Sequence, residues 1–133
     1  MGKVLIIVGL FLLTACSHHP YKEPYEPGAS VRFIGVDRQE VKKVIKRHQP
    51  EIKECYFSEL DRDRNTEPEG KVVIQFEIGE LGKVLNTQTL SSTFPNKTVA
   101  SCLAQHLKTW KFPAPLIGDT AIVSYPFTFN AEE

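Results

Sequence analysis

The amino-acid sequence predicts an α+β domain in the order helix–β–β–helix–β, with a small three-stranded antiparallel sheet and one disulfide. Two regions carry apolar residues at intervals of three and four, the helical period, and three others have strand-like patterns around glycine turns. This order favours helices packed on one face of an antiparallel sheet. With 133 residues, 41% hydrophobic and 24% charged, the chain has the size and composition of one globular domain.

The N-terminal segment, residues 1–15, is predicted to be a cleaved signal peptide. Lys3 gives it a positive charge, and the ten residues 4–13 (VLIIVGLFLL) are apolar. A transmembrane helix needs roughly 20 apolar residues, so this run is too short to span a bilayer and instead has the length of a signal-peptide core.

The signal segment ends in Leu13-Thr14-Ala15-Cys16, which resembles the lipobox of bacterial lipoproteins. The resemblance implies that Cys16 becomes the lipidated N-terminus; the alternative is an ordinary secretory signal with a coincidental cysteine. Lipoproteins carry several acyl chains, and more than one chain is what stable anchoring requires. Because Ser17 rather than Asp follows the cysteine, the same resemblance implies sorting to the outer membrane, with the protein facing the periplasm.

Residues 16–35 are predicted to form a tether between the lipid and the domain. The stretch from Ser17 to Ser30 has three prolines, one glycine and no hydrophobic periodicity, which is typical of an extended linker. His18 and His19 lie in this stretch. Their expected role is that of polar spacer residues, and metal capture is the alternative.

Cys55 and Cys102 are predicted to form a disulfide. Lipidation uses Cys16 and leaves these two cysteines as a pair in the oxidising periplasm. Closing a loop of about 47 residues would stabilise the fold by roughly 4 kcal/mol in the chain-entropy description. The alternative, a reactive or metal-binding thiol pair, lacks the CxxC motif that would support it.

The first helical region starts at Asp37, a favoured N-cap residue, with Glu40 three positions later as a capping-box partner. An apolar stripe at helical spacing follows in two halves, which are Val41, Val44, Ile45 and His48, then Ile52, Cys55, Tyr56 and Leu60. Pro50 lies between the halves. Either the helix kinks there, or one helix ends near Arg47 and a second begins with Pro50 in its first turn, where the missing N–H costs nothing.

The rest of the chain is predicted to form a hairpin, a helix and a last strand. Lys71–Ile78 alternates apolar and polar residues, Gly79–Gly82 supplies a tight turn, and Lys83–Leu90 returns as the second strand. A helix from about Lys97 to Trp110 carries an apolar side. Thr120–Phe129 alternates again and is the last strand.

A series of short motifs follows in a fixed order along the chain. They are His48-x-Pro50-x-Ile52-x-x-Cys55-Tyr56-x-x-x-Leu60, Gly70-Lys71-Val72, Ile78-Gly79-x-x-Gly82-x-Val84, Ser92-Thr93, Val99-x-x-Cys102, Trp110-x-Phe112-Pro113-x-Pro115 and Ser124-Tyr125-Pro126-Phe127. Together, over roughly residues 36 to 129, they resemble the AgmX/PglI C-terminal domain, a group that looks like an offshoot of the TonB C-terminal domain.

The resemblance implies a TonB C-terminal-like domain over residues 36–133, with the family's paired cysteines at Cys55 and Cys102. In TonB-like domains a partner peptide adds a strand to an exposed sheet edge, and the matching element here is the final strand. The implied partner-binding edge consists of Ile122, Val123, Ser124, Tyr125 and Phe127. Pro126 has no N–H and would interrupt that edge. The alternative is that these aromatic residues fill the core.

One departure limits what the resemblance implies. The TonB-type proteins that it resembles carry an N-terminal transmembrane helix that engages an inner-membrane motor. The hydrophobic segment here is instead the predicted signal peptide, and no long spacer follows it. A role in energy transduction is therefore not expected, and partner binding is what carries over.

Charge and side-chain chemistry exclude several functions. Sixteen Lys and Arg residues balance sixteen Asp and Glu residues, so no basic excess supports nucleic-acid binding. No nucleophile–base pair or carboxylate pair is assignable, so we expect neither an enzyme nor catalytic residues. His48 and His106 are too few for a structural zinc site, which usually has four ligands. We therefore expect no metal and no cofactor.

The sequence thus predicts a non-catalytic outer-membrane lipoprotein whose domain binds a periplasmic or outer-membrane protein, within an envelope assembly for motility, secretion or transport. Two alternatives stay open. One is a structural or regulatory lipoprotein without a dedicated peptide ligand. The other is that the protein associates with a second copy of itself, as a homodimer formed through the sheet edge.

Overall fold

The computed structural model describes residues 31–64 and 69–130. The predicted signal peptide, the lipidation site Cys16 and the histidines His18 and His19 lie outside the described residues. The predictions for them stay predictions.

The described chain is a mixed α+β structure with three helices and a four-stranded antiparallel sheet. Its elements in chain order are β1 (Arg32–Ile34), α1 (Arg38–Arg47), α2 (Gln49–Arg62), β2 (Gly70–Gly79), β3 (Val84–Ser92), α3 (Thr98–Leu107) and β4 (Thr120–Phe129). The sheet order is β1-β4-β2-β3. The predicted α+β class is confirmed, with the predicted disulfide present between α2 and α3. None of the described helices combines the length and the apolar composition that crossing a membrane requires.

The predicted number of strands is wrong, because β1 adds a fourth. This strand is only three residues long and has one half-buried side chain between two exposed ones, so it shows no extended alternation that a pattern could detect. It lies within residues 16–35, the segment predicted to be tether. Its position comes from pairing with β4, a contact between residues about ninety positions apart in the chain.

The first helical region is two helices that meet at His48. Asp37 caps α1, and its side chain accepts hydrogen bonds from the backbone N–H groups of Gln39 at 2.8 Å and Glu40 at 3.1 Å. Pro50 lies in the first turn of α2, where its missing N–H leaves no helical hydrogen bond unmade. The second of the two alternatives for Pro50 is therefore the one observed.

The middle of the sheet is β2, which pairs along its whole length with β4 and over most of its length with β3. Its alternate residues join a single core with α2 and α3, and four of them are fully buried: Val72, Ile74, Phe76 and Ile78. The pairing with β3 skips one residue at each of two register shifts, so Leu85 and Leu90 are extra residues in bulges. Both leucine side chains are exposed.

The turn between β2 and β3 is held against the segment that follows α3. The N–H of Phe112 donates to the carbonyl oxygen of Gly82 at 2.9 Å. Gly82 has φ +76°, and a Cβ there would lie 2.1 Å from the carbonyl oxygen of Phe112. Only glycine fits this close approach. The contact fixes where Trp110, two residues earlier, enters the core.

Candidate functional site

The disulfide joins the middle of α2 to α3. Cys55 and Cys102 are bonded, with their Cα atoms 5.7 Å apart. Cys55 is buried and Cys102 is half-buried. The predicted pairing is therefore what the structure contains, and it connects two helices that lie on the same face of the sheet.

Next to the disulfide, the carboxylate of Glu51 contacts the aromatic rings of three other residues. Glu51 Oε1 lies 2.7 Å from His48 Nδ1, and Glu51 Oε2 lies 3.0 Å from His106 Nδ1. The indole N–H of Trp110 donates to Oε2 at 2.7 Å. The Trp110 hydrogen bond, followed by that of His48, lowers the pKa of Glu51 from its usual 4.5. The imidazole of His48 also stacks on the indole, with ring centroids 4.4 Å apart and planes 10° apart.

Sequence analysis considered His48 and His106 together as candidate metal ligands, but it missed Glu51. The missed signal is its spacing, because Glu51 follows His48 by three residues and precedes Cys55 by four, on the same side of α2. This group therefore ties the start of α2 to the end of α3.

The described residues contain one group of three ligand-type side chains close enough to hold a metal ion, and it consists of Cys55, Cys102 and His106. Their ligand atoms lie within 4.8 Å of one another. The sulfur atoms are joined in the disulfide, whereas a thiolate is the form that binds metal. The oxidised protein therefore offers a structural link at this place rather than a metal site.

A second polar cluster lies deeper, and sequence reasoning missed it as well. Glu59 is 1% exposed and accepts hydrogen bonds from Asn96 and, at 2.7 Å, from Arg62. Arg62 also donates to the hydroxyl of Thr98 at 2.6 Å. Glu59 follows Tyr56 by three residues on the apolar stripe of α2, which is the signal that would have found it. The cluster fixes the end of α2 to the start of α3.

The predicted partner-binding strand is not an edge over its first half. β1 pairs with Ile122, Val123 and Ser124 of β4, so three of the five predicted residues face a neighbouring strand on each side. Phe127 is buried in the core and Tyr125 is half-buried, with their rings 5.1 Å apart. The expectation that β4 is the outermost strand is therefore wrong at these three residues, because a segment assigned to the tether covers them. Beyond Ser124, no described residue pairs with the outer side of β4.

The long open edge of the sheet is β3. It is the outermost strand on its side, and no described residue pairs with its outer edge. Its nine residues, VLNTQTLSS, include no charged residue and no proline, two of the devices that prevent an edge from pairing, although its two bulges are a third. All its side chains except that of Val84 are exposed or half-buried. An extended peptide could pair with it without displacing anything described.

Comparison with known proteins adds no relative. The chain matches no protein-family model, no curated protein sequence and no solved structure. The resemblance to the AgmX/PglI C-terminal domain therefore stays a resemblance of sequence motifs.

Proposed function

We propose that this protein is a non-catalytic outer-membrane lipoprotein whose domain has a TonB C-terminal-like fold and binds a partner protein in the periplasm, within an envelope assembly. The observation that carries the proposal is the open, uncharged outer edge of β3. The anchor is the lipid on Cys16, supported by the Leu13-Thr14-Ala15-Cys16 motif.

Strand addition suits this edge physically. An outermost strand presents a row of backbone N–H and C=O groups, and an extended peptide satisfies them with main-chain hydrogen bonds. Nine residues extend about 30 Å at the usual rise per residue of a strand. Because β3 has no charge, a neutral peptide meets no desolvated charge and a charged one meets no like-charge repulsion.

Two exposed leucines would add specificity to the backbone pairing. Leu85 and Leu90 occupy the two bulges and are 61% and 46% exposed. Aliphatic side chains exposed beside an open edge lose water contact when a partner strand covers them, which favours binding. The proposed binding site is therefore β3, at the opposite edge of the sheet from the β1 side, whereas the family resemblance implied β4.

In-cell photocrosslinking tests the proposal. A photoreactive phenylalanine analogue at Gln88 of β3 should capture one partner protein in stoichiometric yield, whereas the same analogue at Lys42, exposed on α1, should not. Capture at Lys42 and Gln88 alike, or a diffuse set of products at Gln88, would support the structural or regulatory lipoprotein instead.

A charge variant provides the matched test. Edge lysines oppose strand addition, so Gln88→Lys with Leu90→Lys should abolish co-purification of the partner. The control is Thr128→Lys, on an exposed residue in the part of β4 that β1 leaves uncovered, which should leave co-purification unchanged.

Palmitate labelling tests the anchor separately. Wild-type protein should incorporate the fatty acid, and Cys16→Ser should not. Equal labelling of both would remove Cys16 as the lipidation site without touching the β3 result.

A further inference from the structure

Exposed aliphatic side chains are concentrated at one end of the sheet. The four most exposed large hydrophobic side chains of the described residues are those of Leu81, Leu85, Leu116 and Ile117, at 75%, 61%, 70% and 79%. Leu81 lies in the turn between β2 and β3, Leu85 lies in β3 just after it, and the other two lie in the loop before β4. We name these four residues the apolar end.

Backbone pairing brings the two loops to the same place. Gly79, at the end of β2, pairs with Thr120, at the start of β4, and Leu81 and Leu85 line one shallow depression together with Asp119 and Thr120. The N–H of Leu116 donates to the carbonyl oxygen of Gly35 at 2.8 Å. The loop is therefore tied to the end of β1 as well.

Lysines adjoin the apolar end on one side. Leu81 lines a second depression together with Lys83, Lys108 and Lys111, and backbone pairing of Lys83 with Lys111 holds two of these lysines close together. Glu80 and Asp119 line the first depression, together with Leu81, Lys83 and Leu85. The surface is thus basic where Leu81 adjoins Lys108 and Lys111. Aliphatic tips bordered by lysines match the chemistry of a bilayer surface with anionic headgroups.

We propose that the apolar end docks on the membrane that holds the lipid anchor, with the side chains of Leu81, Leu116 and Ile117 inserted, Leu85 left at the border, and the lysines on anionic phospholipid headgroups. This inference rests on the proposed lipoprotein. It gives the domain a fixed orientation, because β3 starts at the membrane-facing end and runs away from it, which leaves its outer edge accessible to a periplasmic partner.

The length of the tether permits this contact. Fourteen residues, 17–30, lie between Cys16 and Val31, and the fifteen Cα–Cα steps that join the two residues span about 50 Å at most when extended. The described chain starts beside the middle of β4, since Arg32 pairs with Ser124. From Ser124 to Thr120 is about 13 Å along the strand. Tethering also keeps the membrane at high effective concentration, so weak insertion suffices.

Vesicle co-sedimentation tests the proposal. The probe is the oxidised mature chain with Cys16→Ser, which has no lipid, mixed with phosphatidylethanolamine vesicles with or without phosphatidylglycerol. Binding should be at least about fivefold stronger with the anionic lipid. Replacing Leu116 and Ile117 with serine should weaken it about tenfold or more, because both side chains then stay in water.

Matched variants separate this effect from general loss of apolar or charged surface. Leu90→Ser with Val31→Ser removes two exposed apolar side chains elsewhere and should leave binding unchanged. Glutamine in place of Lys83, Lys108 and Lys111 should remove the preference for anionic lipid, whereas glutamine in place of Lys42, Lys46 and Lys97 should keep it.

Two results would overturn the proposal. One is a Cys16→Ser chain that ignores both kinds of vesicle; the other is binding that survives loss of Leu116 and Ile117. Photocrosslinking from Ile117 to a protein, with no vesicle binding, would assign the apolar end to a protein partner. Because the vesicle assay uses unlipidated chain, its failure is distinguishable from failure of palmitate labelling or of crosslinking at Gln88.

Discussion

The two outer edges of the sheet differ in length, charge and what holds them. On one side β1 has three residues, among them the charged Arg32, and covers three of the ten residues of β4. On the other side β3 has nine uncharged residues paired with β2. Phe33 of β1 packs on the core with the guanidinium of Arg38 5.4 Å from its ring. A long strand secured on its inner side can take a partner on its outer side, whereas a short strand serves mainly to cover the strand behind it.

The largest expected loss of stability follows from removal of the disulfide, which joins α2 to α3. Replacing Cys55 and Cys102 with serine should lower the free energy of unfolding by about 3–4 kcal/mol, because the unfolded chain regains the entropy of a long loop. Since α3 packs on β3 and β2, hydrogen exchange should accelerate at β3 more than at β1. Urea unfolding and hydrogen-exchange mass spectrometry measure the two effects. Equal acceleration of hydrogen exchange at β1 and β3 would show that the disulfide does not support β3 in particular.

Removal of the buried carboxylate of Glu59 should cause the next largest loss of stability. Glu59→Ala removes the carboxylate that Asn96 and Arg62 share as acceptor and should cost about 2–4 kcal/mol of unfolding free energy. Glu54→Ala, at an exposed position of the same helix, is the control and should change stability by no more than about 0.5 kcal/mol. Similar losses in both variants would show that the Glu59 cluster is not a specific link.

Detaching β1 should lower the unfolding free energy less, and it should affect β4 instead of β3. Phe33→Ala removes the one side chain of β1 that packs on the core and should lower the unfolding free energy by about 1–2 kcal/mol. Hydrogen exchange should then accelerate at Ile122–Ser124 and stay unchanged in β3. If the partner's crosslinks moved from Gln88 to Tyr125 in this variant, β4 would be the preferred edge and β1 its cover.

Glu51 predicts a smaller, pH-dependent effect. The pKa of its carboxyl is lowered in the folded protein, so its stabilising contribution is present above the unfolded value of about 4.5 and is lost as pH falls through the folded value. The side chain is 37% exposed, so water screens the interaction. Glu51→Gln should therefore be less stable than wild type at pH 7 and approach it at pH 3. Urea titrations at both values test this, with Glu54→Gln as the control; a constant difference across pH would contradict it.

The smallest stability change is expected on β3 itself. Gln88→Lys alters an exposed side chain and should shift the unfolding free energy by less than about 0.5 kcal/mol, although partner binding should fall. A thermal melt beside a pull-down separates the two readouts. A large loss of stability would mean that the outer side of β3 already contributes to the fold.

Local patterns predicted most of the elements. The cap at Asp37, the alternation of β2 and the extent of β4 are set by neighbours in the chain, so they are visible in the sequence. Pro50 left two alternatives because a kink and a helix junction satisfy the same local sterics. β1 was missed because three residues carry too little pattern.

The candidate sites depended on contacts that no local pattern contains. The family resemblance pointed to β4, but the outermost strand depends on where residues 32–34 pair, which is decided across the whole chain. Glu51 and Glu59 look like ordinary helix carboxylates until α3 brings Trp110 and Asn96 against them. In the apolar end, Leu81 and Leu85 are distant in sequence from Leu116 and Ile117, and the two pairs share one end of the sheet because β2 and β4 pair.

The sequence by itself determined the period of each main element and the expectation of a lipid at Cys16, because spacing and motifs involve residues close together in the chain. It also determined the pairing partner of Cys55, because lipidation of Cys16 leaves Cys102 as the one remaining cysteine. The tertiary structure alone decided which strand is outermost, which carboxylates are buried and which exposed leucines share one end. Those properties arise when distant segments exclude water from one another, and burial is a property of the packed molecule rather than of any stretch of its chain.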